Sequence, residues 1–472
     1  MIRSVEGTGM RCAVVIGGGL AGMLAAAAAV PFADAVTIVE RDILPRGPEP
    51  RKGLPQARHV HVLWSGGAKV IEQLVPGVAD RWVEAGARKI PLSSGVVTYT
   101  PQGWSRRGKQ PTPHYLVACS RDVLDWHVRD EVLRDSRIRL VDGAEAVALT
   151  GDKRRVTGVE ILTGDSASRI LEADLVIDTS GRDSYALHWL SSLGISGIRE
   201  RNVDAGLVYA SRVYQAPTSI SNFPVVNIQA LPHRSQPGQA ATLVPIENGR
   251  WLVSLSGTRG GEPTANGKDF VPFALDMLHP LVGMLIARAT PLTDVSTTRS
   301  TGNRRRYLEQ AQAWPEGLVV LGDALATYNP VYAQGMSVAA LSARLLRNEL
   351  KQTGLRRAGL ARRVQRAVAR LTDAAWASAT AQDAVYPGAL DQTPTLTDRV
   401  IHRFHRRLAR TAAGSSPTAT SLMVTAMEAT STRLLRPDAL LTAAVGPLRH
   451  HPLQGPPLTP QEQALLAPSQ VL

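Results

Sequence analysis

Apolar runs and glycines alternate near the start of the chain and predict a strand, a tight turn, a helix and a second strand. An apolar run, residues 13–16, leads into glycines spaced as G-x-G-x-x-G, and an Ala-rich segment follows up to Val30. A second apolar run, residues 36–39, ends on Glu40. A strand, a glycine turn and a helix in this order are typical of a dinucleotide-binding unit.

Each glycine of the turn has its own role in the expected site. Gly17 permits the tight turn, Gly19 lets the backbone approach a pyrophosphate, and Gly22 lets helix and strand pack closely. The phosphates are expected at the positive end of the helix dipole. Glu40 is placed to hydrogen-bond a ribose hydroxyl. This context favours a bound dinucleotide over a glycine-rich loop of an ordinary α/β protein.

Two further apolar runs end in polar turns that contain glycine. Residues 173–178 lead into Thr179–Arg182, and residues 317–321 lead into Gly322 and Asp323. Ligands of α/β proteins bind at the carboxyl ends of parallel strands. Asp323 is therefore expected to hydrogen-bond a sugar-like hydroxyl chain, and a helix N-cap is the alternative.

The rest of the chain shows two strand-rich regions and several helical ones. Alternating positions predict a small antiparallel sheet over residues 138–171 and a larger, mostly antiparallel sheet within 203–295. Helical spacing is found in five further segments: 68–83, 120–133, 270–287, 336–350 and most of the chain beyond 350.

Composition narrows the class of protein. The chain has 472 residues, of which 44% are hydrophobic, which indicates a globular protein with a sizeable core. No apolar run is long enough for a membrane span, and no signal peptide is recognised, so the expected location is the cytoplasm. Cys12 and Cys119 exclude a disulfide framework and a redox C-x-x-C pair.

The net charge of +13 arises largely from arginines in the C-terminal third. Nucleic-acid binding, an acidic carrier-protein partner and a solvated helical face are three explanations of this charge. Because no zinc-finger spacing or RNA-binding aromatic motif accompanies it, the solvated face is favoured.

A basic, proline-rich segment, residues 44–63, follows the dinucleotide unit. It is either a loop that contacts an anion or cofactor, or a surface connector. It carries His59 and His61, which lie on one face of an extended chain and are suited to a metal. No third ligand stands nearby, so no metal is predicted.

Three motifs in order resemble the FAD-dependent monooxygenases of the aromatic-hydroxylase and squalene-epoxidase type. They are the unit from Gly17 to Glu40, the turn Asp178–Arg182, and Gly322-Asp323 with its sequel up to Gly335. The resemblance covers residues 11 to about 350. Within that group, three stretches look like those of the bacterial polyether-ionophore epoxidases of the monensin and lasalocid pathways: Arg51–His61, Asn303–Arg305 and Asn329–Tyr332.

The resemblance implies an α/β fold with a Rossmann-like FAD-binding domain, an inserted, mostly antiparallel β-sheet substrate domain and a helical C-terminal region. The expected boundaries are a flexible tail over 1–10, an FAD-binding domain over 11–202 and 296–350, a substrate domain over 203–295, and a helical region with a flexible end over 351–472.

The resemblance also implies which residues hold FAD. They are Gly17, Gly19 and Gly22 for the pyrophosphate, with Leu20 and Ala21 beside them, Glu40 and Arg41 for the adenosine ribose, Arg58 as a further cofactor contact, Arg121 for the ribityl-phosphate region, Asp323 for the ribityl chain or pyrophosphate, and Pro330, Gln334, Gly335 and Met336 along the isoalloxazine. The family's mid-chain Asp-Gly motif is here Ser180-Gly181, which puts direct NAD(P)H binding in question.

The implied reaction is alkene epoxidation of a linear polyene polyketide through a flavin C4a-hydroperoxide, in polyether antibiotic biosynthesis. O2 supplies the oxygen, and NADPH or NADH supplies electrons, directly or through a flavin reductase. The substrate arrives free or tethered to a carrier protein. No catalytic side chain is required, because the flavin carries the chemistry. Apolar residues of the larger sheet are the expected substrate pocket, with ordinary core as the alternative: Phe223, Val226, Ile228 and Leu243.

Two other functions stay open. The same fold hydroxylates aromatic or isoprenoid substrates, halogenates, or reduces isoprenoids, although the tryptophan motif and lysine context of flavin halogenases are not apparent. A basic protein that binds nucleic acid through its helical C-terminus is the non-enzymatic alternative. A yellow purified protein would argue against that alternative.

Overall fold

The structure is a computed structural model that describes most of the chain: residues 9–109, 112–164, 167–220, 222–230, 237–299, 301–384, 386, 388–389, 395–427, 437–446 and 453–466. Most of the flexible tail expected over 1–10 lies outside the described residues. The C-terminal end, expected to be flexible, is described over 453–466, where it forms a short helix, Pro460–Ala464, beside the hydrophobic cluster of the larger sheet.

The strands in chain order are β1 (Cys12–Ile16), β2 (Ala35–Glu40), β3 (Leu63–Trp64), β4 (Arg88–Pro91), β5 (Val96–Thr100), β6 (Gly103–Trp104), β7 (Tyr115–Ala118), β8 (Ile138–Asp142), β9 (Ala144–Gly151), β10 (Val156–Thr163), β11 (Ser168–Glu172), β12 (Leu175–Asp178), β13 (Glu200–Val203), β14 (Val208–Gln215), β15 (Val225–Ala230), β16 (Gln239–Ile246), β17 (Arg250–Gly257), β18 (Ser296–Thr298), β19 (Asn303–Arg306), β20 (Leu318–Val320) and β21 (Ala326–Thr327).

The α-helices are α1 (Leu20–Ala29), α2 (Ser65–Leu74), α3 (Val78–Glu84), α4 (Arg121–Val132), α5 (Ala186–Ser192), α6 (Phe270–Leu275), α7 (Leu281–Ile286), α8 (Gly335–Thr353), α9 (Leu360–Asp383), α10 (Leu396–Gly414), α11 (Ser416–Met427), α12 (Pro437–Val445) and α13 (Pro460–Ala464). None of the helices in the described ranges combines the length and hydrophobicity that a bilayer crossing requires.

A five-stranded parallel sheet in the order β20-β12-β1-β2-β8 is the frame of the site. Its central strands are buried on both faces, as their continuous apolar runs predict. In the register of β1, Ile16 pairs with both Asp178 and Val39. The carboxyl ends of β1, β2 and β12 therefore lie side by side, and the loops that follow them meet at one edge.

A seven-stranded sheet in the order β18-β14-β17-β16-β15-β5-β6 forms the second layer of the site. It is antiparallel except where β15 pairs with β5 in parallel. Residues 247–249 join β16 to β17, and Asn248 and Gly249 within this hairpin loop have φ values of 60° and 62°. One face of the sheet packs against α6 and α7 in a hydrophobic cluster.

The predicted α/β class with a Rossmann-like sheet, further antiparallel sheets and a helical C-terminal region is confirmed. Four details differ. β8 pairs in parallel with β2 at the edge of the main sheet, so the small antiparallel sheet contains only β9, β10 and β11. The larger sheet also takes in β5 and β6 from outside the expected range 203–295. Gly77 at φ 85° divides the helix expected over 68–83, and Pro280 precedes the second of the two helices within 270–287.

Candidate functional site

The glycine turn after β1 is shaped by contacts that leave no room for side chains at two of its positions. A Cβ on Gly22 would lie 1.8 Å from the carbonyl oxygen of Gly17, and a Cβ on Gly17 would lie 2.7 Å from that of Thr179. The Thr179 hydroxyl also donates to the Ile16 carbonyl over 2.7 Å. A Cβ on Gly19 would have no atom within 4 Å, because this glycine borders the cavity. The turn is thus closed on its protein side and open on its ligand side.

The first turn of α1 presents unused backbone donors to that open side. Its N-cap is Gly19, which has no side chain to cap the helix, and the first turn contains no acidic residue. Leu20 and Ala21 line the cavity beside it. Backbone N–H groups at a helix N-terminus attract anions, so this geometry suits a pyrophosphate.

Glu40 at the end of β2 is held by the backbone and by a neighbouring arginine. Its carboxylate accepts from the N–H of Gly18 over 2.7 Å and from the N–H of Asp42 over 3.0 Å. The Arg51 guanidinium forms an ion pair with Glu40 at 2.7 Å and lies 3.6 Å from Asp42. Arg51 therefore fixes the acid that is expected beside the ribose. This arginine was noticed in the sequence only as part of a basic loop.

Asp178, at the end of β12, organises its own turn instead of facing the cavity. It is fully buried, and its carboxylate accepts from the Ser180 N–H at 2.9 Å and from the hydroxyls of Ser180 and Ser184 at 2.6 Å. The residues that line the cavity from this turn are 179–183. A turn built on Ser180 and Ser184 thus stands where the family that the sequence resembles has its Asp-Gly motif.

The loop after β20 places a carboxylate on the cavity wall. Gly322 at φ 61° makes the bend, and Asp323 exposes its side chain to the cavity. Desolvation by the surrounding cavity walls raises the pKa of Asp323, whereas the nearby guanidinium of Arg182 acts against that rise. Arg182 also lines the cavity, although nothing in the sequence distinguishes it from the other residues of its turn.

A buried carboxylate at the end of α9 holds the loop that begins at Asn329. Asp383 accepts from the Tyr332 hydroxyl at 2.5 Å, from the Asn329 amide at 2.9 Å and from the Asn303 amide at 2.6 Å. Asn303 and Asn329 belong to the two stretches noted in the sequence around 303–305 and 329–332. Asp383 joins these two stretches in space, and sequence reasoning missed it because it lies 51 positions beyond Tyr332.

The same loop runs into α8 through a strained residue. Ala333 has φ 50°, a left-handed conformation that is uncommon for a residue with a side chain, and its carbonyl accepts from the Trp64 indole over 2.9 Å. Gln334, Gly335 and Met336 follow along the cavity wall. The Asn329 loop is therefore held at both ends, by Asp383 and by Trp64.

These strand ends open into one cavity of about 1430 Å³. This volume exceeds the several hundred Å³ of a typical single-ligand site, and it therefore has room for a dinucleotide and a second ligand. Residues expected to hold the cofactor line this cavity: Gly17, Gly19, Leu20, Ala21, Glu40, Arg41, Arg121, Asp323, Pro330, Gln334, Gly335 and Met336. Gly22 lies behind the turn, and Arg58 exposes its side chain outside the cavity lining.

The apolar residues expected to form the substrate pocket do not line the cavity. Phe223, Val226, Ile228 and Leu243 are buried in the cluster beneath the sheet, on the face that meets α6 and α7. The neighbouring positions point the other way, because side chains alternate along a strand. The alternation is visible in the sequence, but the sequence does not indicate which of the two faces borders the cavity.

The face of the seven-stranded sheet that does border the cavity is rich in polar side chains. It presents neutral hydrogen-bonding groups from four strands: Thr98, Thr100, Asn227, Gln229, Thr242, Ser254 and Ser256. This polar sheet face, as we call these seven residues, offers donors and acceptors without charge. The ligand that lies on it is therefore expected to carry oxygen or nitrogen groups.

His59 is tied to this sheet by a chain of hydroxyl groups. Its Nδ1 lies 2.7 Å from the Ser211 hydroxyl, which lies 2.6 Å from that of Ser254. The Val60 N–H donates to Ser254 over 2.8 Å. Burial lowers the pKa of His59 to about 4, so its imidazole is neutral at pH 7.

We expect this buried histidine to make the protein sensitive to mild acid. Because the pKa of His59 is about 4 when folded and 6.5 ordinarily, the unfolded chain binds a proton first, and stability falls as pH drops below 6.5. The full contribution is roughly 3 kcal/mol. Urea unfolding between pH 7 and pH 4 measures it. His59→Gln should flatten the decline, while the exposed control His188→Gln should follow the wild-type curve; a parallel decline in all three would contradict this assignment.

Comparison with known proteins places the fold among flavoproteins. Residues 13–183 match the family model described as FAD dependent oxidoreductase. A relative called Protein Rv3254, from Mycobacterium tuberculosis, is 29% identical over 373 residues, which cover 77% of this chain and 78% of that protein. The matched segment contains the β1 turn, Glu40 and the β12 turn, and it supports FAD as the cofactor.

Solved structures share the architecture at low sequence identity. A flavoprotein/dehydrogenase from Cytophaga hutchinsonii superposes with a TM-score of 0.62 and 14% identity, over 92% of this chain and 99% of that chain. The flavin-dependent brominase Bmp2 gives 0.60 and 16%, over 83% and 92%. The p-nitrophenol 4-monooxygenase PnpA from Pseudomonas putida DLL-E4 gives 0.61 and 14%, over 89% and 99%. At these identities the likeness shows the fold.

Proposed function

We propose that the protein is an FAD-dependent monooxygenase that epoxidises alkenes of a linear, oxygen-bearing polyene polyketide. O2 and NADPH or NADH are the co-substrates. One atom of O2 enters the alkene as the epoxide oxygen, the other leaves as water, and the nicotinamide supplies two electrons, directly or through a flavin reductase. The reaction proposed for this chain needs no nucleophilic side chain, because bound FAD supplies the oxygen-activating chemistry.

The observation that carries the proposal is the meeting of three strand-end loops on one large cavity. The loops after β1, β12 and β20 come together there, and each contributes groups suited to a dinucleotide. Because the cavity continues from these loops to the polar sheet face, a second ligand has room beside the cofactor. This arrangement favours an enzyme over a basic protein that binds nucleic acid with its surface.

The residues present fit an FAD. Backbone donors beside Gly19 and at the start of α1 would hold the pyrophosphate, and Arg51 keeps Glu40 in place for the adenosine ribose. Asp323 would hold the ribityl chain or pyrophosphate, with Arg121 nearby on the cavity wall. The residues from Pro330 to Met336 would line the isoalloxazine.

The protein's own contribution to the reaction is orientation and exclusion of water. The polar sheet face would align a chain that carries hydroxyl or carbonyl groups, since neutral donors and acceptors can hydrogen-bond the oxygen atoms of such a chain. The apolar cavity residues Val225 and Leu207 would then contact the alkene between those groups. Fixing the alkene in one pose beside the cofactor lowers the entropic part of the barrier.

The test uses the intact protein purified with FAD. We expect a yellow protein that, with NADPH under isotopically heavy O2, converts a linear polyene ketone such as geranylacetone to an epoxide carrying one heavy oxygen atom. A matched reaction with heavy water and ordinary O2 should leave the epoxide oxygen unlabelled, whereas the ketone oxygen exchanges with water. A colourless protein that cannot be reconstituted, or a product without the heavy atom from O2, rules out the proposal.

Hydroxylation of an aromatic substrate is a second candidate, and the polar sheet face favours it. Neutral hydroxyl and amide groups would also orient a phenol, and the fold neighbour from Pseudomonas putida is a p-nitrophenol 4-monooxygenase. Offering 4-nitrophenol and the polyene ketone to the same preparation separates the two. Preferential labelling of the aromatic product would replace epoxidation with hydroxylation.

A further inference from the structure

Helix α10 brings unneutralised charge to the wall of the cavity. Arg406 and Arg410 are separated by one helical turn, so they lie on the same face, and both line the cavity with exposed side chains. Arg407, on another face, donates instead to the carbonyls of Ala443 and Ala444 at the end of α12. The arginines of this region were expected to form a solvated helical face. In the structure, Arg407 instead packs against α12, and Arg406 and Arg410 line the cavity.

The two cavity arginines have no anionic partner among the described residues. None of the ion pairs of the described chain involves Arg406 or Arg410, and the acidic residues found along the cavity lie outside α10 and α11. The neighbouring His405 is neutral at pH 7, because burial lowers its pKa to about 4. The positive charge at this wall therefore comes from the guanidinium groups and needs an anion from outside.

The position of α10 indicates how that anion is presented. The helix lies beside β6, which is the edge strand of the seven-stranded sheet. β6 pairs with β5, and β5 carries two members of the polar sheet face. A ligand that extends along this face therefore reaches α10 at the sheet edge. Neutral hydrogen-bonding groups along the sheet and guanidinium groups at its edge together match an elongated, oxygen-bearing chain with one anionic end.

We propose that Arg406 and Arg410 form an anion-binding end of the cavity and take the terminal carboxylate or phosphate of the ligand. Guanidinium groups bind both anions through paired, charge-assisted hydrogen bonds. In identifying this ligand with the substrate, the inference rests on the proposed function. A free linear acid supplies a carboxylate, and an acyl chain delivered on a phosphopantetheine arm supplies a phosphate.

Calorimetric titration of the FAD-loaded protein with three matched probes tests the site. The probes are octanoate, octyl phosphate and the neutral octan-1-ol. We expect the anions to bind the wild type at least about tenfold more tightly than the alcohol, which corresponds to about 1.4 kcal/mol. Raising the salt concentration should weaken this preference, because screening acts on the charge and not on the alkyl chain.

The double variant Arg406→Gln/Arg410→Gln should bind all three probes with similar affinity. Arg403→Gln is the matched control, because Arg403 is exposed on the same helix but lies outside the cavity lining, and it should keep the wild-type preference. Absence of any anion preference in the wild type, or its survival in the double variant, overturns the proposal. If the double variant does not fold, the single variants Arg406→Gln and Arg410→Gln take its place, and each should lose part of the wild-type preference.

The two anionic probes separate the sources of the ligand. Tighter binding of octyl phosphate supports a phosphate-bearing arm, and equal or tighter binding of octanoate supports a free acid. Since calorimetry needs no turnover, its result is independent of the oxygenation assay. Failure to epoxidise with an intact anion preference would overturn the proposed reaction alone, and the reverse result would overturn the anion site alone.

Discussion

Gly22→Ala is expected to prevent the β1–α1 unit from forming. The added Cβ would lie 1.8 Å from the Gly17 carbonyl oxygen, and neither backbone segment has room to move, because Thr179 also contacts the turn. Overpacking against side chains costs roughly 1–3 kcal/mol, and a clash between two backbone segments should exceed that range. Soluble expression and urea unfolding of the apoprotein measure the effect. A variant within 1 kcal/mol of the wild type contradicts this account of the turn.

Gly19→Ala is the matched comparison within the same motif. Its Cβ would meet no protein atom within 4 Å, so the apoprotein should unfold within about 1 kcal/mol of the wild type. The methyl group would instead occupy the space of the pyrophosphate. We expect FAD affinity to fall at least about tenfold, as measured by flavin fluorescence on titration. Unchanged FAD affinity would mean that the cofactor does not lie against Gly19.

Asp383→Asn is the second substitution for which we expect a large effect. The carboxylate accepts from Asn303, Asn329 and Tyr332, and an amide in its place turns one acceptor atom into a donor that faces other donors. Losing a charged acceptor from a buried network costs roughly 2–4 kcal/mol. Chemical denaturation of the FAD-loaded protein should show this loss, and bound flavin should be released earlier in the titration than in the wild type.

Tyr332→Phe provides the control for that loss. It removes one donor and leaves both amide donors to Asp383, so the expected cost is about 1 kcal/mol, with flavin release close to that of the wild type. If both variants behaved alike, the effect would belong to the tyrosine and not to the network. If Asp383→Asn changed neither the stability nor the release of flavin, this carboxylate would have no role in holding the Asn329 loop.

The main sheet could be predicted from the sequence because its signals are local. The glycine spacing, the acid at Glu40 and the apolar runs before Asp178 and Asp323 each specify a strand and the turn after it. Parallel strands bring such turns to one edge, so the cofactor end of the cavity follows from the pattern alone. Helix α4 could be predicted for the same reason, because its N-cap, Ser120, directly precedes it in the sequence.

The substrate end could not be predicted, because it depends on pairings between distant segments. Alternation identified both faces of β15, but choosing Asn227 over Val226 as cavity-lining required knowing which face α6 and α7 cover. Asp383 belongs to no recognisable motif, and it acquires its role only because α9 packs where its last residue reaches Asn303 and Asn329. The cavity position of Arg406 likewise depends on where α10 docks, and composition does not encode that.

The position of β20 at the edge of the main sheet has a consequence for how the chain acquires its structure. β1 and β12 are paired early in the chain, but β20 joins them only after the whole seven-stranded sheet has been synthesised. Contacts between such remote segments slow folding, because loop closure precedes any gain from pairing. A nascent chain thus offers the backbone donors at Gly19 long before Asp323 arrives, and complete cofactor binding is expected only after β20 has joined the main sheet.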